Sequence, residues 1–375
     1  MRKRSSAMPK YIVPGLAISG MATVSGVLTF APAAAQNRAA APANAPAQFG
    51  GARQIIRSNG IRLEGNAFIR RPELQVNADA IALDYSAAAK SIGEVRARGK
   101  VFFRVNLPPR GGGAPAQIEA RCIAADLDPN TRTLVLNGNV TGFYQVQGGP
   151  RNLLSGDKVT LTYVGNQLTA SSVGKVRVVL PAENFASGGA GSASTAIGAV
   201  TVTANRADVD SATGMVTFAG AARAVSTEGP NKFDVTAPAF MLSRGASGTI
   251  DTLKTSGGRA RLKIDLPPDP ARSGGATAER DNASNVGRPT HVEAESDTVT
   301  VTRANNTVVF EGKVNGFYRL QPAGQEAGNY RFTGDRTIIR YVMEAQANAT
   351  TPAGFQVEVT GDPSSIEAPT FNLGF

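Results

Sequence analysis

From about residue 53 to residue 345, apolar and polar residues alternate with a period of two, broken at short intervals by Gly, Asn, Asp and Pro. Alternation of this kind puts successive side chains on opposite faces of an extended strand. The clearest case is the stretch from Gly138 to Gln147, GNVTGFYQVQ. It sets Val140, Gly142, Tyr144 and Val146 on one face and Thr141, Phe143, Gln145 and Gln147 on the other. A close copy, GKVNGFYRLQ from Gly312 to Gln321, follows 174 positions later and keeps Val314, Gly316, Tyr318 and Leu320 on the first face. Two flanking blocks repeat in the same order. Val101 to Pro109 corresponds to Ala260 to Pro268, and Gly156 to Tyr163 corresponds to Gly334 to Tyr341. A long-period duplication of strand-forming segments predicts two related β modules.

The turns are equally legible. Asn59-Gly60 predicts a tight hairpin, Pro129-Asn130-Thr131 another, and Asn305-Asn306 a third. Pro108-Pro109 followed by three glycines ends the strand that starts at Val101, because proline cannot donate to a ladder. Residues 269–289 form a long polar loop, and 186–199, rich in Gly, Ala and Ser, reads as an interdomain linker. After the N-terminal region no window of ten residues keeps a helical period. The expected fold is all-β, with two tandem modules of repeated β-hairpins at 53–185 and 200–375.

A smaller unit recurs inside both modules: a small residue and Asp, an alternating strand, a turn, and a return strand ending Gly-x-Val. Ala78-Asp79 to Gly99-Lys100-Val101, Ala125-Asp126 to Gly138-Asn139-Val140, Gly156-Asp157 to Gly174-Lys175-Val176 and Ser296-Asp297 to Gly312-Lys313-Val314 are instances. Ala207-Asp208 to Gly220-Ala221-Ala222 is a degenerate one. Stacked hairpins of this kind need neighbours to bury their apolar faces. Asp79, Asp126, Asp157, Asp208, Asp297 and Asp335 recur at this place, which predicts a turn or cap role, since catalytic carboxylates occur once per site.

Composition adds the compartment. Arg2, Lys3, Arg4 and Lys10 precede an uncharged, mostly apolar run from Tyr11 to Phe30, and Ala33-Ala34-Ala35 offers a small-residue cleavage site. This predicts a signal peptide at 1–35 and an Ala/Pro-rich linker at 36–52. An uncleaved anchor is the competing reading, because about 20 apolar residues can span a bilayer. Loss of 1–35 removes four basic residues and no acidic one, leaving 35 basic against 29 acidic. A mildly basic exported chain suits anionic partners such as lipid phosphates or acidic glycans, or the charge serves solubility alone. No dense Lys/Arg block tracks nucleic acid, and none is expected as a partner.

Candidate chemistry is thin. Cys122 is the single cysteine, so no internal disulfide forms, and a buried small apolar role is expected. His291 is the single histidine. Without a second His or nearby Cys it lacks the donors of a zinc site, and a surface position is expected for it. No Gly-x-Ser-x-Gly or comparable constellation appears, so the expectation is a non-enzyme without cofactor or metal.

The repeated unit resembles that of the organic-solvent-tolerance-like (OstA-like) family of lipopolysaccharide transport proteins. The resemblance rests on Ala78-Asp79-x-Ile81-x-Leu83-x-Tyr85 with Gly99-x-Val101, on Ala125-Asp126 to Val140, on Gly156-Asp157 to Tyr163, and on Ala207-Asp208 and Ser296-Asp297. It implies a periplasmic, open V-shaped jellyroll whose apolar interior carries the acyl chains of lipopolysaccharide or another acylated lipid. It further implies inner- and outer-membrane transport components as partners, with possible edge-to-edge self-association. The candidate lining is Val101, Phe103, Val105, Val140, Tyr144, Val146, Leu161 and Tyr163 in the first module. In the second it is Leu262, Ile264, Leu266, Val314, Tyr318, Leu320, Ile339 and Tyr341.

Two alternatives stay open. The same faces can pack as closed cores of an envelope scaffold. The alternating end Phe371-Asn372-Leu373-Gly374-Phe375 is similar to the last strand of an outer-membrane barrel, although a chain without Trp is poorly supplied with interfacial aromatics. Phe143 and Phe317, on the polar side of both copies, suggest a second contact surface or a cover for a strand edge.

Overall fold

The alternating segments pair, most of them with a neighbour in sequence, into one antiparallel sheet. The computed structural model describes residues 47–86, 91–107, 115–164, 167–185, 198–210, 213–229, 231–244, 249–265, 289–303, 305–320, 328–342 and 354–367. The predicted signal, most of both linkers, nearly all of the 269–289 loop and the 371–375 end lie outside these residues. The first nine strands are β1 (Gln48–Gly50), β2 (Arg53–Arg57), β3 (Gly60–Arg70), β4 (Leu74–Ser86), β5 (Ser91–Leu107), β6 (Ala116–Asp128), β7 (Thr133–Val146), β8 (Arg151–Val164) and β9 (Gln167–Leu180). They continue as β10 (Val200–Asp210), β11 (Met215–Ser226), β12 (Lys232–Arg244), β13 (Ile250–Ser256), β14 (Ala260–Asp265), β15 (Pro289–Ser296) and β16 (Thr298–Thr302). The last four are β17 (Thr307–Leu320), β18 (Gly328–Val342), β19 (Gly354–Thr360) and β20 (Ser365–Glu367). Among the described residues one short 3-10 turn, Ala182–Asn184, is the sole helical element. The fold is all-β, as the alternation predicts.

Long strands follow one another as a meander from β3 to β12, and β9 pairs with β10 from Val200↔Leu180 to Asp210↔Thr169. The ladder therefore runs on across the 186–199 segment. Beyond β12 some rungs are split in two: β12 pairs with both β13 and β14, and β17 with both β15 and β16. The outermost rungs are split as well, with β1 and β2 both on β3, and β19 and β20 both on β18.

Every complete rung is irregular at its middle, and this irregularity shapes the molecule. The register shifts between Asn77 and Ala80 on β4, Arg98 and Val101 on β5, Asn137 and Val140 on β7, and Glu311 and Val314 on β17. On alternate strands the break is a Gly followed by one residue, both with positive φ: Gly99-Lys100 at 74° and 46°, and Gly312-Lys313 at 79° and 49°. A side chain at such a φ costs about 1 kcal/mol or more, which glycine avoids. Glycine is required here for a second reason. A Cβ on Gly99 would run into the Asp79 carboxylate of the preceding strand, and one on Gly312 into that of Asp297.

The repeated Asp and Gly are thus two halves of one cross-strand contact. This corrects the register of two predicted units. Gly138 packs on Ile123, not on Asp126, and Gly220 packs on Asn205, not on Asp208. Asp126 and Asp208 lie three positions further on and pair with Arg98 at 2.5 Å and Arg206 at 2.6 Å.

A bulge at the same height of every rung bends each strand there, since bulges raise local twist and kink the chain. The buried row records the bend. On β7 it keeps its parity through the break, as Leu134, Leu136 and Val140, while on β4 it steps by one, from Val76 and Ala78 to Ile81 and Leu83. Each rung is thereby divided into two half-strands whose inner faces meet. Val76 and Phe103 from one row line the same space as Leu83, Ala97 and Leu134 from the other.

Three apolar clusters fill the interior in chain order. One surrounds Leu63, Ile81, Val101 and Leu136, one surrounds Val176, Val202, Phe218 and Phe240, and the last surrounds Leu262, Phe310 and Phe332. The middle cluster draws residues from both sides of the 186–199 segment. Fully burying side chains of this size contributes about 1.5–3 kcal/mol each.

Cross-strand ion pairs such as Arg104–Glu119 at 2.8 Å and Arg223–Asp234 at 2.5 Å cover outward positions. Exposed pairs of this kind add at most about 1 kcal/mol each.

The corner contact can be tested by separating its two costs. Gly148 also has positive φ, 78°, but a Cβ there meets nothing. Gly148→Ala should therefore lose about 1 kcal/mol in urea denaturation, the backbone cost alone. Gly312→Ala should lose at least about twice that, and Asp297→Ala in the same chain should restore part of the difference.

Candidate functional site

The central space between the two rows is an apolar cavity of about 140 Å³. It is bounded by residues of β6, β7, β8 and β9 from before the 186–199 segment and by β10, β11, β12 and the start of β13 from after it. Leu136, Leu154, Leu161, Val178, Val216 and Ile250 form its greasy wall, with Phe218 behind them. A second recess, near the start of the ladder, lies among Phe49, Ile69, Leu74, Phe103 and Leu127.

The candidate residues divide between these regions. Val140, Tyr144 and Leu161 line the central cavity. Val101 and Phe103 are buried in the first cluster with Val105 packed against it, and Phe103 borders the second recess. Val146 sits at the end of β7 opposite Ala116 and is half-buried. Leu262, Val314, Tyr318 and Ile339 are buried in the third cluster, with Ile264 packed against it. Leu266 lies outside the described residues, as do the side chains of Tyr163, Leu320 and Tyr341.

The two copies of the organising strand differ in what opposes them. Tyr144 on β7 faces Asn152 on β8, and Gly142 faces Leu154. In the second copy Tyr318 faces Tyr330, and Gly316 faces Phe332. Tyr318 and Tyr330 stack with centroids 5.0 Å apart and planes within 2°, while Phe332 lies 6.2 Å from Tyr318 and its ring tip covers Gly316. The space an aromatic ring takes over Gly316 belongs to the cavity over Gly142. Replacing Tyr and Phe by Asn and Leu opens one copy where the other is packed.

Asn152 and Arg244 are polar residues on the inward rows of the cavity, as is Ser172 of β9. Asn152 is buried and accepts a hydrogen bond at 2.7 Å from Asn184 of the 3-10 turn, which anchors that turn beside the sheet. Arg244 follows Phe240 and Leu242 on the inward row of β12 and lines the cavity at the strand's end. Burial draws its guanidinium down to about 10, an effect the charge of Tyr144 opposes. The Tyr144 hydroxyl is in turn pushed up by burial, with Arg244 acting the other way. The two side chains therefore sense each other across the gap between rows. Sequence reasoning missed Arg244, although a cation continuing an apolar row is a readable signal.

His291, expected at the surface, is largely covered. It is bonded to Asp265 at 2.6 Å, lies 3.6 Å from Glu293, and stacks on Phe317 at 5.3 Å. Phe143 lies under the Arg151 guanidinium at 4.7 Å. Both outward aromatics are thus capped by a neighbouring strand, which removes the reason to assign them a separate contact surface. Cys122 is buried, as expected, and burial pushes its thiol up.

No protein-family model matches the chain, and no curated protein matches it. Among solved structures it is similar to the crystal structure of LptH from Pseudomonas aeruginosa, described as the LptA-homologous periplasmic component of the conserved lipopolysaccharide transport device. That similarity has 15% sequence identity and a TM-score of 0.25, and covers 43% of this chain and 94% of that one.

The difference between the copies predicts different costs of truncation. Tyr318→Ala removes a ring packed on two sides and should cost about 3–5 kcal/mol in chemical denaturation. Tyr144→Ala borders a space already open and should cost less than half as much.

Proposed function

We propose that the chain is a non-enzymatic periplasmic lipid-binding protein that carries or bridges lipopolysaccharide, or a similar acylated lipid, toward the outer membrane. The supporting observation is the apolar cavity between the two half-strand rows, walled by Val140, Tyr144, Leu154 and Leu161 and continued by residues of β10 to β13. Binding by area burial follows, at about 25 cal/mol per Å² of apolar surface removed from water. No covalent step is involved, so directed movement draws its energy from transport components in the two membranes.

The cavity matches in size an engineered apolar cavity of about 150 Å³ that holds one benzene. It admits the end of one acyl chain, and a lipid with several chains requires the two rows to part along the open side, opposite the bulged corner. In this reading 53–185 and 200–375 are two jellyroll-like modules stacked through β9 and β10, with the cavity at their junction and a packed continuation beyond it in the second. The end rungs, β1 with β2 and β19 with β20, have no outer strand neighbour among the described residues. They are the edges through which copies or partners would extend the sheet. A closed scaffold is the second reading, favoured in the second module by the Tyr318–Tyr330–Phe332 packing.

A photo-crosslinking residue at position 144 tests the proposal, with position 141, exposed on the opposite face of the same strand, as reference. Lipid recovered by mass spectrometry should carry the 144 adduct in at least tenfold excess, and Ala170→Phe, which fills the cavity, should abolish it. Purified protein without lipid, together with equal labelling at both positions after lipopolysaccharide is added, refutes the carrier reading.

A further inference from the structure

Arg244 stands on the inward row of a wall made mostly of leucine, valine, isoleucine and alanine, with Glu119, Asn152 and three serines also in the lining, and a long cation is rarely set among apolar side chains. On β12 the row reads Phe240, Leu242, Arg244, and the first two are buried in the middle cluster. Arg244 is the last residue of the strand, five positions beyond Ala239, where the bulge ends. Tyr144 lies four positions beyond Val140, the matching point of β7 on the facing row. Both stand well away from the bulged corner, toward the open side of the bend, and both line the cavity. An arginine and a phenol at the mouth of a greasy space form an amphipathic site: apolar inside, with a cation and a hydroxyl donor at the entrance.

We propose that this site takes one acyl chain whose attached group is an anion, a carboxylate or a phosphate, with the chain among Leu154, Leu161, Val178 and Val216 and the anion bonded by Arg244 and the Tyr144 hydroxyl. The inference rests on the carrier reading above and adds the class of group recognised beside the chain. The guanidinium suits either anion, since its planar fork gives two parallel N–H donors to carboxylate or phosphate oxygens. The size of the cavity limits the buried part of the chain to about six carbons, comparable to the benzene an engineered cavity of that volume accepts. The anion thus stays at the mouth, where water reaches it. Only an amphiphile satisfies both ends, so a free anion gains little here.

The test uses the full chain and displacement of a fluorescent fatty acid by dodecanoate, dodecyl phosphate, methyl dodecanoate and acetate. Dodecanoate and dodecyl phosphate should displace at concentrations at least tenfold below the methyl ester, and acetate should not displace at those concentrations. Arg244→Gln should erase the gap, with an unaltered circular dichroism spectrum and urea midpoint reporting an intact fold. Tyr144→Phe should narrow the gap without a change of charge, and serves if Arg244→Gln does not fold.

Acid and ester binding alike to the unaltered chain would overturn the proposal, as would a gap that persists in Arg244→Gln. Displacement by acetate as effective as by dodecanoate would overturn the amphiphile assignment in favour of a free anion. A chain that binds the ester and the acid equally keeps the carrier reading, whereas one that binds no long-chain ligand loses both.

Discussion

The contact between a positive-φ glycine on one strand and the side chain tucked against it on the strand before is the constraint on which this architecture depends. Gly99 against Asp79, Gly174 against Asp157 and Gly312 against Asp297 are the same arrangement, stacked rung upon rung. A single bulge merely kinks a strand, but a bulge at one height in every rung turns the whole sheet through a corner. Without the corner the inner faces of the two rows would form one flat apolar surface open to water. With it they face each other, and the leucines, valines and phenylalanines of both rows share clusters. Where Ile123 or Asn205 replaces Asp, the same place against glycine is kept. The geometry is held by the close approach of glycine, and the carboxylate is one of several side chains that fit it.

Within that frame the two copies of the organising strand are packed differently. The strand from Gly138 and the strand from Gly312 are nearly the same peptide, yet one borders an opening and the other a packed stack. The difference is supplied by β8 and β18, where Asn152 and Leu154 stand in place of Tyr330 and Phe332. Two aromatic rings more or fewer on the opposing strand decide whether the glycine between the inward Val and Tyr leaves room for a guest. Interiors pack closely, so a missing ring is felt as a space unless the backbone collapses on it. Here the corner ladder resists that collapse, because each half-strand is held in register on both sides.

The same logic explains what reading the chain could and could not deliver. Strand positions, the hairpins at Asn59-Gly60 and Pro129-Asn130-Thr131, and the inward placement of Val140 and Tyr144 on β7 and of Val314 and Tyr318 on β17 follow from alternation and turn chemistry, and they appear where expected. Ala125-Asp126 and Ala207-Asp208 mimic the corner motif without occupying the corner, since small-residue–Asp pairs are common and only pairing identifies which one faces a glycine. Phe143 and Phe317 looked exposed because the partners that cover them, Arg151 and His291, come from other strands. Arg244 received no assignment from the sequence, although it stands on the inward row of β12.

By itself, then, the order of residues settled the all-β character, the repeat, and which side of each strand is apolar, because these depend on neighbours one or two positions away. The tertiary arrangement alone decided where the apolar sides meet tightly and where they leave a cavity, and that a cation stands at its mouth. Those outcomes turn on pairs such as Tyr144 with Asn152 and Tyr144 with Arg244, whose members lie far apart along the chain and come together only when the rungs stack and bend.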